Sequence, residues 1–160
     1  MRKIRNPYVQ SGRESYHCFG CSPNNTMGLK LEFWDEGDAV ISKWLPQKGY
    51  EGFMDVLHGG IQATMLDEIG NWAVQLRCKT AGVTSSMEIS YRRPVLISSG
   101  EITLRATIVE SGTRIALVKA ELIGNDGKLC ASALIKYFLF NPQKASETYF
   151  YPGADAFYEN

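Results

Sequence analysis

The stretch Leu57-His58-Gly59-Gly60-Ile61-Gln62-Ala63-Thr64-Met65-Leu66-Asp67-Glu68 decides the fold, because it opens the one convincing helix of the chain. Apolar side chains at Ile61, Met65, Leu66, Ile69, Trp72, Ala73 and Leu76 recur at helical spacing, which predicts a helix over residues 59–79. Lys79 and Gly82 suit its end. Upstream, residues 29–33 and 39–44 read as two short strands joined through Asp35-Glu36-Gly37-Asp38, a turn signal. Downstream the period switches to two. Segments 84–96, 101–110, 114–123 and 129–140 are rich in Val, Ile, Thr and Tyr. Ser98-Ser99-Gly100, Ser111-Gly112 and Gly124-Asn125-Asp126-Gly127 separate them, which predicts hairpin-linked antiparallel strands. A lone helix must bury its apolar stripe, and a curved antiparallel sheet wrapped around it does so. The fold class is α+β.

The 160 residues carry 17 Lys+Arg against 17 Asp+Glu, a net charge of zero. That balance excludes a strongly basic nucleic-acid binder. With 44% hydrophobic and 21% charged residues the chain is globular rather than disordered. It divides into an N-terminal segment (1–25) holding Cys18 and Cys21, a central domain (26–140) and an aromatic tail (141–160). The tail's Tyr149, Phe150, Tyr151, Phe157 and Tyr158 are expected to pack back on the body or on a partner chain. No apolar run approaches the roughly 20 residues of a spanning helix. The basic start Met1-Arg2-Lys3-Ile4-Arg5 lacks the apolar stretch of an export signal. Four cysteines are too sparse for a disulfide scaffold. A cytoplasmic, reduced protein with no membrane or nucleic-acid partner is the expectation.

Two glycines at a helix start leave the first backbone N–H groups uncovered, at the positive end of the helix dipole. Such a terminus suits a carbonyl oxygen that becomes an oxyanion. His58 stands beside it, and Asp67 lies mid-helix. Gly59 and Asp67 are eight residues apart, about 12 Å along a helix axis. One subunit cannot bring both to a single carbonyl. If both act in one site, Asp67 comes from the neighbouring chain of a two-fold dimer with antiparallel helices.

Leu57-His58-Gly59-Gly60 with Asp67 nine residues after the histidine, and Gly82-Val83-Thr84 opening a strand, resembles the PaaI-type acyl-CoA thioesterases of the hot-dog fold. The lead-in Cys18-Phe19-Gly20-Cys21, Asn25 and Gly28-Leu29 is similar to one subgroup, and Tyr91-Arg92-Arg93-Pro94-Val95 to the family's strand-ending pattern. The resemblance spans residues 18–140. It implies hydrolysis of an acyl-CoA substrate in a homodimer or a dimer of dimers, without a cofactor. It implies that the Gly59 amide polarises the thioester carbonyl and that His58 shapes or orients that pocket. It further implies that Asp67 of the other chain attacks, or activates a water, and that Thr84 holds that water or the carboxylate. Gly60, Arg92 and Arg93 are candidates for substrate binding, since Arg forks suit the phosphates of coenzyme A. One departure stands out: members often carry an Asn six residues before the histidine, where this chain has Gly52, with Glu51 and Asp55 as neighbouring polar candidates.

Plainer roles exist for each residue. Glu68 is a competing acid, His58 a possible helix cap, Thr84 an ordinary strand residue, and Arg92 and Arg93 solvated strand ends. His17, Cys18 and Cys21 offer a zinc ion three ligands at best, while Cys78 and Cys130 are isolated; packing, not metal or redox chemistry, is expected. Two rival functions remain. A hot-dog lyase acting on 3-hydroxyacyl thioesters needs His58 and Glu68 or Asp67 facing one substrate carbon. A non-catalytic acyl-CoA sensor would be expected to add a DNA-binding helix pair, of which residues 1–25 give no sign.

Overall fold

Helix α1 (Gly59–Arg77) is the centre of the molecule in the computed structural model, which describes residues 1–9 and 15–159. His58 caps its start, accepting the Gly60 N–H on its side chain. Its expected stripe is real: Met65, Leu66 and Ile69 are wholly buried, and Trp72, Ala73 and Leu76 nearly so. The helix ends two residues short of the prediction, because Lys79 adopts a left-handed φ of 55° without being a glycine.

Around α1 runs one antiparallel seven-stranded sheet. Its strands are β1 (Arg2–Ile4), β2 (Phe33–Asp35), β3 (Ala39–Trp44), β4 (Gly82–Tyr91), β5 (Ile102–Ser111), β6 (Ile115–Ile123) and β7 (Leu129–Leu139), in the order β1-β2-β3-β5-β6-β7-β4. This is the single helix wrapped by a curved sheet that the hot-dog resemblance implies. The floor under α1 is built of small or branched inward residues, Leu104 and Ala106 from β5 and Ala116, Val118, Ala120 and Leu122 from β6. At the helix's own Gly70 any Cβ would overlap the Tyr137 hydroxyl of β7, so glycine sets that close approach.

Four expectations change. First, β4 and β5 are not a hairpin: β4 pairs with β7 at the far edge, and residues 92–101 cross between. Pro94 in that link cannot extend a ladder. Second, the strand expected at 29–33 begins only at Phe33. Leu29 and Leu31 instead donate their amides to the Phe19 and Gly20 carbonyls, pairing with the cysteine loop. Third, the N-terminal segment contributes β1, a strand of three residues too short to show a period. Fourth, the tail holds helix α2 (Pro142–Tyr149), started by an Asn141 cap and a proline in its first turn.

The tail does pack on the body. Phe157 is wholly buried, stacked edge-on against Trp72, and its carbonyl accepts the Arg5 amide at 2.8 Å. Tyr151 reaches the Gln75 carbonyl at 2.8 Å. Residues 10–14 of the N-terminal segment and Asn160 of the tail lie outside the described residues. Among those described, no helix is long and apolar enough to cross a membrane.

Candidate active site

Strand β4 runs antiparallel to α1 along one flank, so each end of the helix segment 59–67 meets one end of the strand. At the helix start the Tyr91 hydroxyl donates to the Gly59 carbonyl at 2.7 Å. The Gly60 amide is taken by His58 Nδ1 at 2.9 Å, and the amides of Ile61 and Gln62 by the His58 carbonyl. The Gly59 amide donates to nothing among the described residues, which leaves it as the open donor at the dipole's positive end. Because Nδ1 accepts an N–H, the neutral ring carries its hydrogen on Nε2. His58 is thus the helix cap, with its tautomer fixed by that bond. A shallow cavity of about 360 Å³ lies against this terminus, lined by Gly52, Phe53, Val56, Leu57, His58 and Gly59.

Gly52 stands beside His58. A Cβ there would meet the His58 ring carbon Cδ2 at 3.5 Å, an ordinary contact. Neither neighbouring acid substitutes for the missing side chain. Asp55 is engaged by the Ser98 amide and hydroxyl, and Glu51 accepts the Asp55 amide.

At the other end, Asp67 Oδ1 accepts the Thr84 hydroxyl at 2.7 Å and the Tyr137 hydroxyl at 3.0 Å. Thr84 and Tyr137 are cross-strand partners of β4 and β7, so one register position aims both hydroxyls at one oxygen. The ladder shifts directly after Thr84, leaving Ser85 as the extra residue, a bulge that re-aims the strand. Tyr137 also donates to the Asp67 carbonyl at 2.8 Å. The second oxygen, Oδ2, has no partner among the described residues. Tyr137 escapes a reading by motif. Its signal is its inward position on β7, since a buried tyrosine hydroxyl needs a partner.

Glu68 turns the opposite way. Its Oε1 accepts the Trp72 indole N–H at 3.1 Å and lies 3.4 Å from Cys18 Sγ, so it shares no atom with Asp67's surroundings. Burial pushes its carboxyl up to about 7. The Cys18 thiol is drawn down to about 5, chiefly by its bond with the Cys21 side chain. Arg93 forms an exposed ion pair with Asp126 at 3.4 Å, and Arg92 is exposed beyond the end of β4. Met65 and Trp72 are core residues; of the two, Trp72 also edges a cavity, and Phe53 is wide open at 86% exposure. The structure therefore gathers Gly59 with His58, and Asp67 with Thr84 and Tyr137, into two separate groups on one chain.

Residues 54–131 match the thioesterase superfamily. The chain is similar to mouse (Mus musculus) acyl-coenzyme A thioesterase 13, with 35% identity over 96 residues, covering 59% of this chain and 68% of that one. A solved thioesterase of Haemophilus influenzae superposes with a TM-score of 0.66 at 24% identity, over 76% of this chain and 85% of its own. A thioesterase protein of Streptococcus pneumoniae solved with coenzyme A superposes with a TM-score of 0.63 at 18% identity, over 69% and 86%. At those identities the two superpositions establish the fold.

Proposed function

The chain belongs to the thioesterase superfamily, and from that premise we propose that it hydrolyses an acyl-CoA thioester to a carboxylic acid and free coenzyme A, using a site completed by a second copy of itself. The observation that carries the proposal is the split geometry. An open amide at Gly59 and a carboxylate at Asp67, oriented through Oδ1 and unpartnered at Oδ2, sit about 12 Å apart on one rigid helix.

The thioester carbonyl oxygen accepts the Gly59 N–H, which stabilises negative charge as the carbonyl becomes tetrahedral. Asp67 of the partner chain presents Oδ2 to the other side. It either removes a proton from the water that attacks the carbonyl carbon, or attacks that carbon itself to give an anhydride that water opens. Both routes expel the coenzyme A sulfur as a thiolate, which takes up a proton from solvent. A thiolate leaves without much acid help, so the reaction needs no dedicated proton donor for the sulfur. His58 holds the helix start, Thr84 and Tyr137 hold Asp67, and Arg92 offers a cation for a phosphate. Gly60 supplies clearance there.

Acyl-CoA as the substrate class rests on the mouse relative's activity. Dehydration of a 3-hydroxyacyl thioester is disfavoured by Glu68, which faces Cys18 rather than His58. The test is steady-state release of free thiol from a panel of acyl-CoAs by the wild type and by Asp67→Ala. Turnover on at least one chain length with loss of about a hundredfold or more in kcat for the variant supports the assignment. An unimpaired Asp67→Ala, or no turnover on any substrate, overturns it. Single turnover in ¹⁸O-labelled water then separates the routes, because only nucleophilic attack leaves label in Asp67.

A further inference from the structure

On the side of α1 away from the Asp67 carboxylate, a cluster of metal-ligating atoms takes no part in the thioester site. Cys18 Sγ, Cys21 Sγ and a Glu68 carboxylate oxygen all lie within 4.8 Å of one another. The loop that carries the cysteines is a tight turn, with the Ser22 amide on the Cys18 carbonyl at 3.0 Å and the Gly20 and Cys21 amides directed at Cys18 Sγ. Gly20 leaves no room for any side chain, since a Cβ there would overlap the Glu68 carboxylate; the loop is closed down onto that acid. Around Cys21 Sγ stand the Tyr16 hydroxyl at 3.1 Å and Asn6 Nδ2 at 3.7 Å, and on Glu68 the Trp72 indole.

Two sulfurs and a carboxylate, all acceptors when ionised, thus converge on one point, and the groups supporting them are neutral hydroxyl, amide and indole donors. No Lys or Arg contacts the three among the described residues. With its thiol protonated Cys18 donates to Glu68 Oε1; with the thiols ionised, a cation is the counterpart the three groups call for. Thiolate with carboxylate is a donor set suited to zinc, with about 2.3 Å to sulfur and 2.0–2.2 Å to oxygen. Ligand atoms on one tetrahedral ion then stand roughly 3.5–3.8 Å apart, and the Cys18–Glu68 separation of 3.4 Å falls just short of that spacing. Cys18 and Glu68 also border a cavity of about 580 Å³ with Tyr16, Asn71 and Gln75, so a fourth position has somewhere to open. We propose that Cys18, Cys21 and Glu68 bind a Zn²⁺ ion, with one coordination position facing this cavity. The third ligand is the residue that sequence spacing misses: His17 is exposed and bonded to the Ser15 carbonyl, while Glu68 arrives from the helix.

The experiment is titration of the metal-free full chain with Co²⁺, followed in the near-ultraviolet and visible, and zinc content of the protein as purified. The wild type is expected to retain one zinc per chain and to develop a thiolate-to-cobalt charge-transfer band with the visible bands of a tetrahedral site. Cys18→Ser and Cys21→Ser abolish the band. Glu68→Gln, which keeps the side chain's shape, weakens Co²⁺ binding by about tenfold or more. Cys78→Ser, just past the end of α1, binds as the wild type does. Absence of a charge-transfer band in the wild type overturns the proposal, as does a Glu68→Gln variant with unchanged affinity. If a cysteine variant fails to fold, the wild-type spectrum and Glu68→Gln still decide. None of these readouts depends on thioester hydrolysis, so the site stands or falls separately from it.

Discussion

Tyr137 is the residue on which the Asp67 assignment can be tested without touching the carboxylate. Its hydroxyl bridges the Asp67 carbonyl and Oδ1, while Thr84 shares the same oxygen. A hydrogen bond to a charged group contributes about 1.5–3 kcal/mol, and about 1.4 kcal/mol is a tenfold change in rate. Tyr137→Phe removes one such bond and keeps the buried ring. Its kcat is therefore expected to fall about tenfold or more, with KM nearly unchanged because the group touches the acid rather than the substrate. Thr84→Val acts in the same direction. Since both donors serve one atom, the losses of the double variant are expected not to add. Two variants with wild-type kcat would show that Asp67 needs no orientation, and the assigned role would fail with it.

At the level of elements, β2, the end of α1 and the tail meet at one acid. Asp35 accepts the Arg77 guanidinium through both oxygens, the shorter contact at 2.5 Å, and also the Tyr158 hydroxyl. Burial alone would raise the Asp35 carboxyl, but the Arg77 and Tyr158 bonds outweigh it and hold the group at about 2. An acid depressed in the folded state stabilises the fold above its unfolded value, about 3.9. That contribution is lost as pH falls toward 2. Urea unfolding should thus find Asp35→Asn less stable than wild type by about 1–3 kcal/mol at pH 7, with the gap narrowing between pH 4 and pH 2. A gap independent of pH would mean that the charge on Asp35 contributes nothing. This clasp was invisible to motif and period, because Asp35 reads as a turn residue and its partners lie 42 and 123 positions away. Periodicity resolved the elements that bury a regular face: α1, β3, β5, β6 and β7. It failed where pairing is set by distant chain, as in the crossover that carries β4 to the sheet edge and in Leu29 and Leu31, which pair with the cysteine loop. The same division runs through the site. His58, Gly59, Asp67 and Thr84 were legible from local spacing and the resemblance, whereas Tyr137 and the approach of Glu68 to Cys18 exist only once the sheet has closed around the helix.

For the whole molecule the deciding feature is the free edge of β4. Among the described residues this strand of ten pairs on one side only, and its residues are exposed or half-buried along their length. A long exposed edge invites a further strand, and the function proposed above assigns it to a second copy, which would also complete the site. Antiparallel β4-to-β4 pairing about a two-fold axis at Glu88 sets Met87 opposite Ile89 and, because the bulge at Ser85 absorbs one residue, Thr84 of one chain opposite Tyr91 of the other. Thr84 holds Asp67 and Tyr91 holds the start of α1, so that register places each Asp67 beside the partner's Gly59. Complementation tests it directly. Asp67→Ala lacks the acid. Gly59→Pro lacks the open amide yet suits the first helical position, because His58 already has the extended ψ of 132° that precedes proline. Each homodimer is expected to be inactive. In a randomly assembled equal mixture half the dimers are mixed, and each mixed dimer joins the Gly59 of one chain to the Asp67 of the other at one of its two sites. Activity should therefore return to about a quarter of the wild-type value per chain. Sites built within single chains would give no recovery at any ratio, and that result would remove the second copy from the mechanism.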